Sequence, residues 1–341
     1  MGTASNLMML LRAMGGSDVI TDFRDAAEEE MQHLASLIQP GEHAVTRHNT
    51  APPGKGVNAM MRDMPLAKKA RLLPVVLGTM NSVTRCGTYM KDKLTPSRQS
   101  ADADVWEQVR DVALASGALD VGFVRINEHD IFKDYAIPYQ SAVVFTIQMD
   151  KEAIDTAPGY DALIEVLSTY GSLGDVAIAL TEHLREQGYG AYPGFPIGGL
   201  VDYVRVAQDA GLGAIGYHGM LISPGDGTRQ RINVVFTNMD IPEPAANPHA
   251  WVREVCELCQ NCVRSCPPAA IYTEGELEPS TGRKTTIHYE RCVEYYGDNQ
   301  GCAVCIKVCP FSAAGYDKVK QGYMDIYGKD AADANSLGVM A

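Results

Sequence analysis

Eight of the nine cysteines in this 341-residue chain fall in two runs toward its C-terminal end. The first, CELCQNCVRSCPP, sets Cys256, Cys259, Cys262 and Cys266 at C-x2-C-x2-C-x3-C spacing and closes on Pro267. The second, CVEYYGDNQGCAVCIKVCP, ends alike with Cys302, Cys305, Cys309 and Pro310, but its first gap, from Cys292, is stretched. Closely spaced cysteines on a tight turn let three thiolates cap three irons of one cubane, while the fourth reaches a second cubane. Zinc is the competing use of C-x2-C pairs, yet two complete four-cysteine runs closed by Cys-Pro favour two [4Fe–4S] clusters. Disulfides are disfavoured by the C-x-x-C spacing, the chain length and the lack of an export signal. Cys86 has no partner at metal spacing and reads as a buried small hydrophobe. The chemistry of such clusters is one-electron transfer.

The first run is that of bacterial two-cluster ferredoxins, in which the fourth cysteine ligates the other cluster. By that rule one cluster takes Cys256, Cys259, Cys262 and Cys309, and the other takes Cys292, Cys302, Cys305 and Cys266. Crossed ligation keeps the clusters close enough for rapid transfer. Residues 250–315 suffice for such a module, so the remainder of the chain must hold whatever the electrons are for.

The elements upstream predict an α+β layer. Phe23, Ala27, Met31, Leu34 and Ile38 share one face of a helix over 21–39, ended by Pro40 and Gly41. Residues 41–65 read as a loop or wrapping arm, and 66–100 carry mixed signals. Asp104 and Glu107 resemble a capping box for a helix with Val105, Val109 and Val112 on its apolar stripe, stopped by Gly117. DVGFVRI, SAVVFTIQM and RINVVFTNM read as strands, with a long helix over 161–187 and a short one running into AGLGAIG. IPEPAANP, 241–248, is a proline-rich linker. The organisation expected is an N-terminal helical or wrapping region (1–103), a catalytic domain (104–249), the double-cluster domain (250–315) and a C-terminal tail (316–341).

Net charge is −13 from 29 basic and 42 acidic residues, which argues against gripping a phosphate backbone. Apolar runs such as LLPVVLG fall short of a membrane span, and MGTASNLMMLLRAMGG shows neither a basic region nor a twin arginine. The expectation is a cytoplasmic protein with no membrane span.

VRVAQDAGLGAIGYHGMLISPGDGTRQRINVVFTNM, 204–239, resembles the segment leading into the ferredoxin module of cobalamin-dependent reductive dehalogenases; the related epoxyqueuosine reductases carry a similar stretch. YQSAVVFTIQMDKEAIDTAPGYDALIEVLSTYGSLGDVAIALTEHLREQGYGAYP upstream is similar to the dehalogenases too, so the resemblance covers about 105–315. On their own, Gly211, Gly213, Gly216 and Gly219 mark tight turns or a close backbone approach to a flat ligand, and they do not form a Rossmann G-x-G-x-x-G after a strand. The resemblance implies a nitroreductase-like core holding a base-off cobalamin, a corrinoid with no histidine beneath the cobalt. None of the eight histidines stands in an Asp-x-His-x-x-Gly context. It implies cofactor contacts from Gly211, Gly213, Gly216, His218, Ser223 and Arg231.

In such enzymes two electrons, delivered singly, make cob(I)alamin for cleavage of a carbon–halogen bond, and a tyrosine beside a Lys or Arg supplies the proton. Tyr170 matches the position of that tyrosine ahead of the long helix, the competing reading being a helix-start core aromatic with a satisfied hydroxyl. Arg229 matches the basic partner best, with Arg231 the alternative if the register slips by two. The partners implied are an organohalide and an external electron donor, a ferredoxin, flavodoxin or reductase; a homodimer stays open. Competing readings are an epoxyqueuosine-reductase-like or other non-dehalogenating reductase, and an electron-transfer subunit of a larger complex. The epoxyqueuosine enzymes carry an aspartate about thirteen residues before the alanine matching Ala210, where this chain has Ile197; its nearest Val-Asp is Val201-Asp202.

Overall fold

The computed structural model describes residues 37–42, 44, 64–133, 135–243, 246–278 and 283–336. The helix expected over 21–39 lies outside the described residues as far as 36. Ile38 is not helical: it forms an isolated antiparallel bridge with Ile137. The mixed-signal segment opens with a long helix, α1 (Leu66–Met90). Next come α2 (Ala103–Ala115), β1 (Asp120–Arg125), β2 (Ser141–Gln148) and α3 (Lys151–Asp155). The N-cap of α2 is Asp102, whose carboxylate accepts the Val105 amide at 3.2 Å, so the helix starts before the expected Asp104. α4 (Tyr160–Glu186) is followed by β3 (Ala191–Pro193), α5 (Tyr203–Asp209), β4 (Ala214–Ile215), β5 (Leu221–Ile222) and β6 (Gln230–Thr237).

The four longer-range strands form one antiparallel sheet in the order β1-β2-β6-β3. Both of its faces are buried, which explains why the strands read as near-continuous apolar runs. Ala142, Val144, Val234 and Phe236 turn to a core shared with Cys86 and Met90 of α1 and with Val206 and Ala207 of α5. Val143, Phe145 and Val235, one residue out of step, turn to Val105 and Val109 of α2 and to Leu173, Ala177 and Leu180 of α4. That period of two on each strand fixes the register, since a slip of one residue would exchange the two cores.

α1 lies close along α4. The Thr79 hydroxyl donates to the Leu167 carbonyl at 3.0 Å and the Ser82 hydroxyl to the Gly171 carbonyl at 2.9 Å. A methyl group on Gly174 would stand 1.8 Å from Ser82 Oγ, so that glycine is explained by the approach of the neighbouring helix. α4 is the one helix among the described residues long and apolar enough to cross a bilayer, and 50% of that apolar stretch is spent inside the molecule.

The C-terminal module contains α6 (Trp251–Cys259), α7 (Asn261–Ser265), the hairpin β7 (Ile271–Glu278) and β8 (Arg283–Ile287), α8 (Tyr289–Asp298), α9 (Val304–Lys307) and α10 (Pro310–Ala313). Residues 316–336, read above as the start of a tail, form α11 (Tyr316–Ser336), and Tyr316 is buried against Trp251 and Phe311. The module is fastened to the core at several points. The Thr228 amide donates to Ser312 Oγ at 3.0 Å, and Lys307 Nζ to the Ala157 carbonyl at 3.1 Å. Gly227 takes φ +63, and a Cβ there would meet the Phe311 backbone at 2.4 Å, so only glycine fits that junction.

Candidate functional site

The two Cys-Pro steps set the geometry of the cysteines. Cys266 ends α7 with ψ 111 and Cys309 precedes α10 with ψ 124, both extended as residues before proline are. Each is thereby turned out of its own run. Cys309 joins Cys256, Cys259 and Cys262 around one hollow, together with Tyr217, His218 and Phe311. Cys266 comes within electrostatic reach of Cys292, Cys302 and Cys305. Cys305 also lies within electrostatic reach of Cys262, so the two groups of cysteines adjoin one another.

Burial pushes the Cys256 thiol up to about 11 and Cys309 up to about 12, and it raises Cys305 further still. Buried thiols in such numbers ionise where cations share the hollow, and metal binding and thiol deprotonation then proceed together. Among the described residues no three His, Cys, Asp or Glu side chains converge on a single ion. Tetrahedral zinc would draw thiolates to about 4 Å of one another, given Zn–S bonds of about 2.3 Å. What favours cubanes over zinc is the pair of complete four-cysteine runs closed by Cys-Pro. Ala270 N donates to Cys266 Sγ at 3.2 Å, a backbone hydrogen bond of the kind that stabilises charge on a ligand sulfur.

The second cysteine group adjoins the remaining candidates. Tyr170 lies within α4, one turn before Gly174, rather than ahead of the helix or at its start. It packs with Cys305 and Met220 against Ile154, Val166, Ala303 and Ile306. The Arg231 guanidinium lies over the Tyr170 ring, 5.1 Å from its centroid. Arg229, expected as the basic partner, is directed elsewhere. Its Nη2 pairs with Asp226 at 2.7 Å, with both side chains about one-tenth exposed, and its Nη1 donates to the Met149 carbonyl at 3.3 Å. Arg231, on β6, is the nearer of the two to the phenol.

Tyr296 is the residue that the sequence reading missed. It belongs to α8, inside the stretched Cys292–Cys302 gap, and it feels the charges of Tyr170, Arg231, Cys302 and Cys292. Burial, and secondarily the Tyr170 phenol, raise its hydroxyl above the ordinary phenol range. The signal was the irregular spacing itself: the extra residues carry a side chain to the Tyr170–Arg231 pair.

The residues expected to touch a corrinoid divide. Gly211 ends α5 at φ +76. Gly213 and Gly216 are packed by the β4–β5 hairpin: a Cβ on Gly213 would meet the Ile222 carbonyl at 2.2 Å, and one on Gly216 the His218 ring at 2.8 Å. The Ser223 hydroxyl is taken by Gln230 Oε1 at 3.0 Å. His218 faces the first cysteine hollow, and burial depresses its imidazole to about 4. The glycines therefore have reasons in the fold itself, and Arg231 alone of the set stands beside Tyr170. Arg231 Nε, and Arg229 Nε and Asp226 Oδ2 of the ion pair before β6, are buried polar atoms with no protein partner that a large polar cofactor could engage. Two donors and an acceptor suit a rim of amide side chains such as a corrin carries. Asp202, the nearest aspartate to the epoxyqueuosine position, caps α5 through the Arg205 amide at 3.3 Å.

A family model for a 4Fe-4S dicluster domain matches residues 255–313. The tetrachloroethene reductive dehalogenase of Sulfurospirillum multivorans is 32% identical over 207 residues, covering 53% of this chain and 40% of that protein. Epoxyqueuosine reductase of Synechococcus sp. is 33% identical over 122 residues, covering 31% of this chain and 33% of that protein. The catabolic reductive dehalogenase NpRdhA superposes on 90% of this chain and 47% of its own with a TM-score of 0.69 at 20% identity. A reductive dehalogenase structure described as suggesting a mechanism for B12-dependent dehalogenation covers 92% of this chain and 51% of its own, with a TM-score of 0.70 at 20% identity. At such identities the superpositions establish a common fold, and this chain spans about 40% of the length of the curated dehalogenase. The chain is thus similar to the reductive dehalogenases in sequence over 53% of its length and in fold over about 90% of it, with a 4Fe-4S dicluster module at 255–313 joined to an α+β core.

Proposed function

We infer that this protein is a cobalamin- and iron–sulfur-dependent reductase of the dehalogenase type, removing halide from a small organohalide with electrons from an external one-electron donor. The observation carrying this reading is the Arg231 guanidinium over the Tyr170 ring beside the Cys305 side of the second cysteine group. A proton donor, a cation and an electron supply then meet in one place. A bound corrinoid would supply the two-electron reductant at the halogen-bearing carbon.

The chain's own residues do the rest. Arg229, Arg231 and Asp226 would hold the polar rim of the cofactor through the atoms left without protein partners. Tyr170 would hand its phenolic proton to the carbon that loses halide, with the Arg231 guanidinium over its ring as the nearby cation. Tyr296 would close that side of the site and exclude water. Cys292, Cys302, Cys305 and Cys266 would hold the cluster that delivers electrons there, and Cys256, Cys259, Cys262 and Cys309 the one that receives them first.

Metal and corrinoid analysis of anaerobically purified protein tests the cofactors: about eight irons and one cobalt per chain are expected from two [4Fe–4S] clusters and one corrinoid. Eight irons with no corrinoid retained after reconstitution would instead identify an electron-transfer subunit. Halide release from a panel of haloaromatics and haloalkenes then tests the reaction; reduction with no halide released would make the leaving group something else.

A further inference from the structure

His218 has two ring nitrogens with different surroundings. Its Nδ1 accepts the Met220 amide at 3.2 Å, which leaves that nitrogen unprotonated and places the proton of the neutral ring on Nε2. Nε2 is buried and has no protein partner. The residue is 2% exposed, and it lines the hollow shared by Cys256, Cys259, Cys262 and Cys309. A buried N–H donor without an acceptor costs about 1–3 kcal/mol, so a donor held there by a backbone bond to its other nitrogen points to an acceptor inside the hollow. Gly216 beneath the ring makes the pose achievable, since a Cβ there would stand 2.8 Å from His218 Cε1.

We propose that His218 donates an Nε2–H hydrogen bond to the iron–sulfur cluster held by Cys256, Cys259, Cys262 and Cys309, and that this bond sets the cluster's reduction potential above that of the same ligand set without it. Reduction adds one electron from a one-electron donor, in the assay dithionite, and no proton moves. The added negative charge falls on the cluster and its sulfurs, where a donated hydrogen bond stabilises it. The potential is the property changed, and the ligands are not. The proposal rests on the cysteine assignment and on neither cobalamin nor dehalogenation.

Two variants and one label test it on the anaerobically purified, full-length protein. His218→Leu removes the donor; His218→Gln keeps an N–H of similar reach. Iron is counted first, so that loss of a cluster, a failure of the cysteine reading, is seen separately from a shift in potential. In redox titrations followed by electron paramagnetic resonance, His218→Leu should lower one of the two cluster potentials. A tenfold change in the reduction constant, ~59 mV for a one-electron couple, is the size expected, with the other cluster unmoved and most of the shift recovered in His218→Gln. Both potentials unchanged at full iron content would overturn the proposal. If His218→Leu loses iron, the unsubstituted protein decides. With 15N-histidine, the reduced first cluster should show a nitrogen coupling that changes with the label and a proton coupling lost in D2O; absence of both overturns the proposal.

Discussion

The two cysteine groups are built from nearly the same motif and stand in opposite surroundings. Around Cys256, Cys259, Cys262 and Cys309 the hollow is lined without a single Asp, Glu, Lys or Arg among the described residues. Phe311, Trp251 and Tyr316 pack behind it at centroid separations of 5.3–5.7 Å. Around Cys266, Cys292, Cys302 and Cys305 stand Arg231 and the phenols of Tyr170 and Tyr296. An aromatic shell, with Arg253 over Tyr217 and Arg264 on the Cys259 carbonyl as its nearest cations, suits a group that takes and passes electrons. A phenol and a cation suit a place where a proton must be given up in step with electrons. Under the proposed function the regular motif would serve supply, and the irregular one chemistry.

The largest effect that could break this contrast comes from Cys266, which sits in the first run by sequence. Cys266→Ala should lower iron to about four per chain, erase the resonance of the cluster near Tyr170 and take turnover to background, while the first cluster keeps its signal. Loss of the first cluster with the second retained would refute the crossing. Next in size, Tyr170→Phe should keep both clusters and lose about 10²–10⁴-fold in turnover, the usual worth of a positioned proton donor; unchanged turnover would remove Tyr170 from the chemistry.

The arginines sharpen the comparison further. Arg231→Gln should lower turnover at full iron content with little change in melting temperature. Arg229→Gln should lower stability by about 3–5 kcal/mol, because Asp226 would keep a buried charge with no partner, and should lower turnover only as far as cofactor is lost. Thermal unfolding and turnover per folded molecule, measured on both, separate the roles; the reverse pattern would restore Arg229 as the partner of Tyr170.

These two arginines also mark where the sequence stops being legible. Cys-Pro punctuation fixes local geometry, so the grouping of eight cysteines follows from spacing, and strands buried on both faces betray themselves as apolar runs. A two-residue register on β6 does not. Arg229 and Arg231 differ only in which cation the Asp226 carboxylate captures, a contact made by the turn before β6. Gly213 and Gly216 look like a ligand cradle for a similar reason: glycine reports that something comes close, and here it is the Ile222 carbonyl and the His218 ring. α1 escaped detection because its apolar face is interrupted by Thr79 and Ser82, which bond to carbonyls of α4 and so belong to the buried side.

That helix pair gives the smallest expected effect, and it tests whether the Tyr170 side can be loosened alone. Gly174→Ala would set a methyl 1.8 Å from Ser82 Oγ. The serine can swing away only by giving up its hydrogen bond to the Gly171 carbonyl, and α1 can retreat only by thinning the contact. Overpacking of this kind costs about 1–3 kcal/mol, read as a lower melting temperature. Adding Ser82→Gly should recover part of the loss, since it clears the clash while forfeiting one hydrogen bond of about 1 kcal/mol. Tyr170 lies one turn away on the same helix, so turnover should fall modestly while the first cluster's potential stays fixed. A shift in that potential would mean that the two cysteine groups answer to the same packing after all.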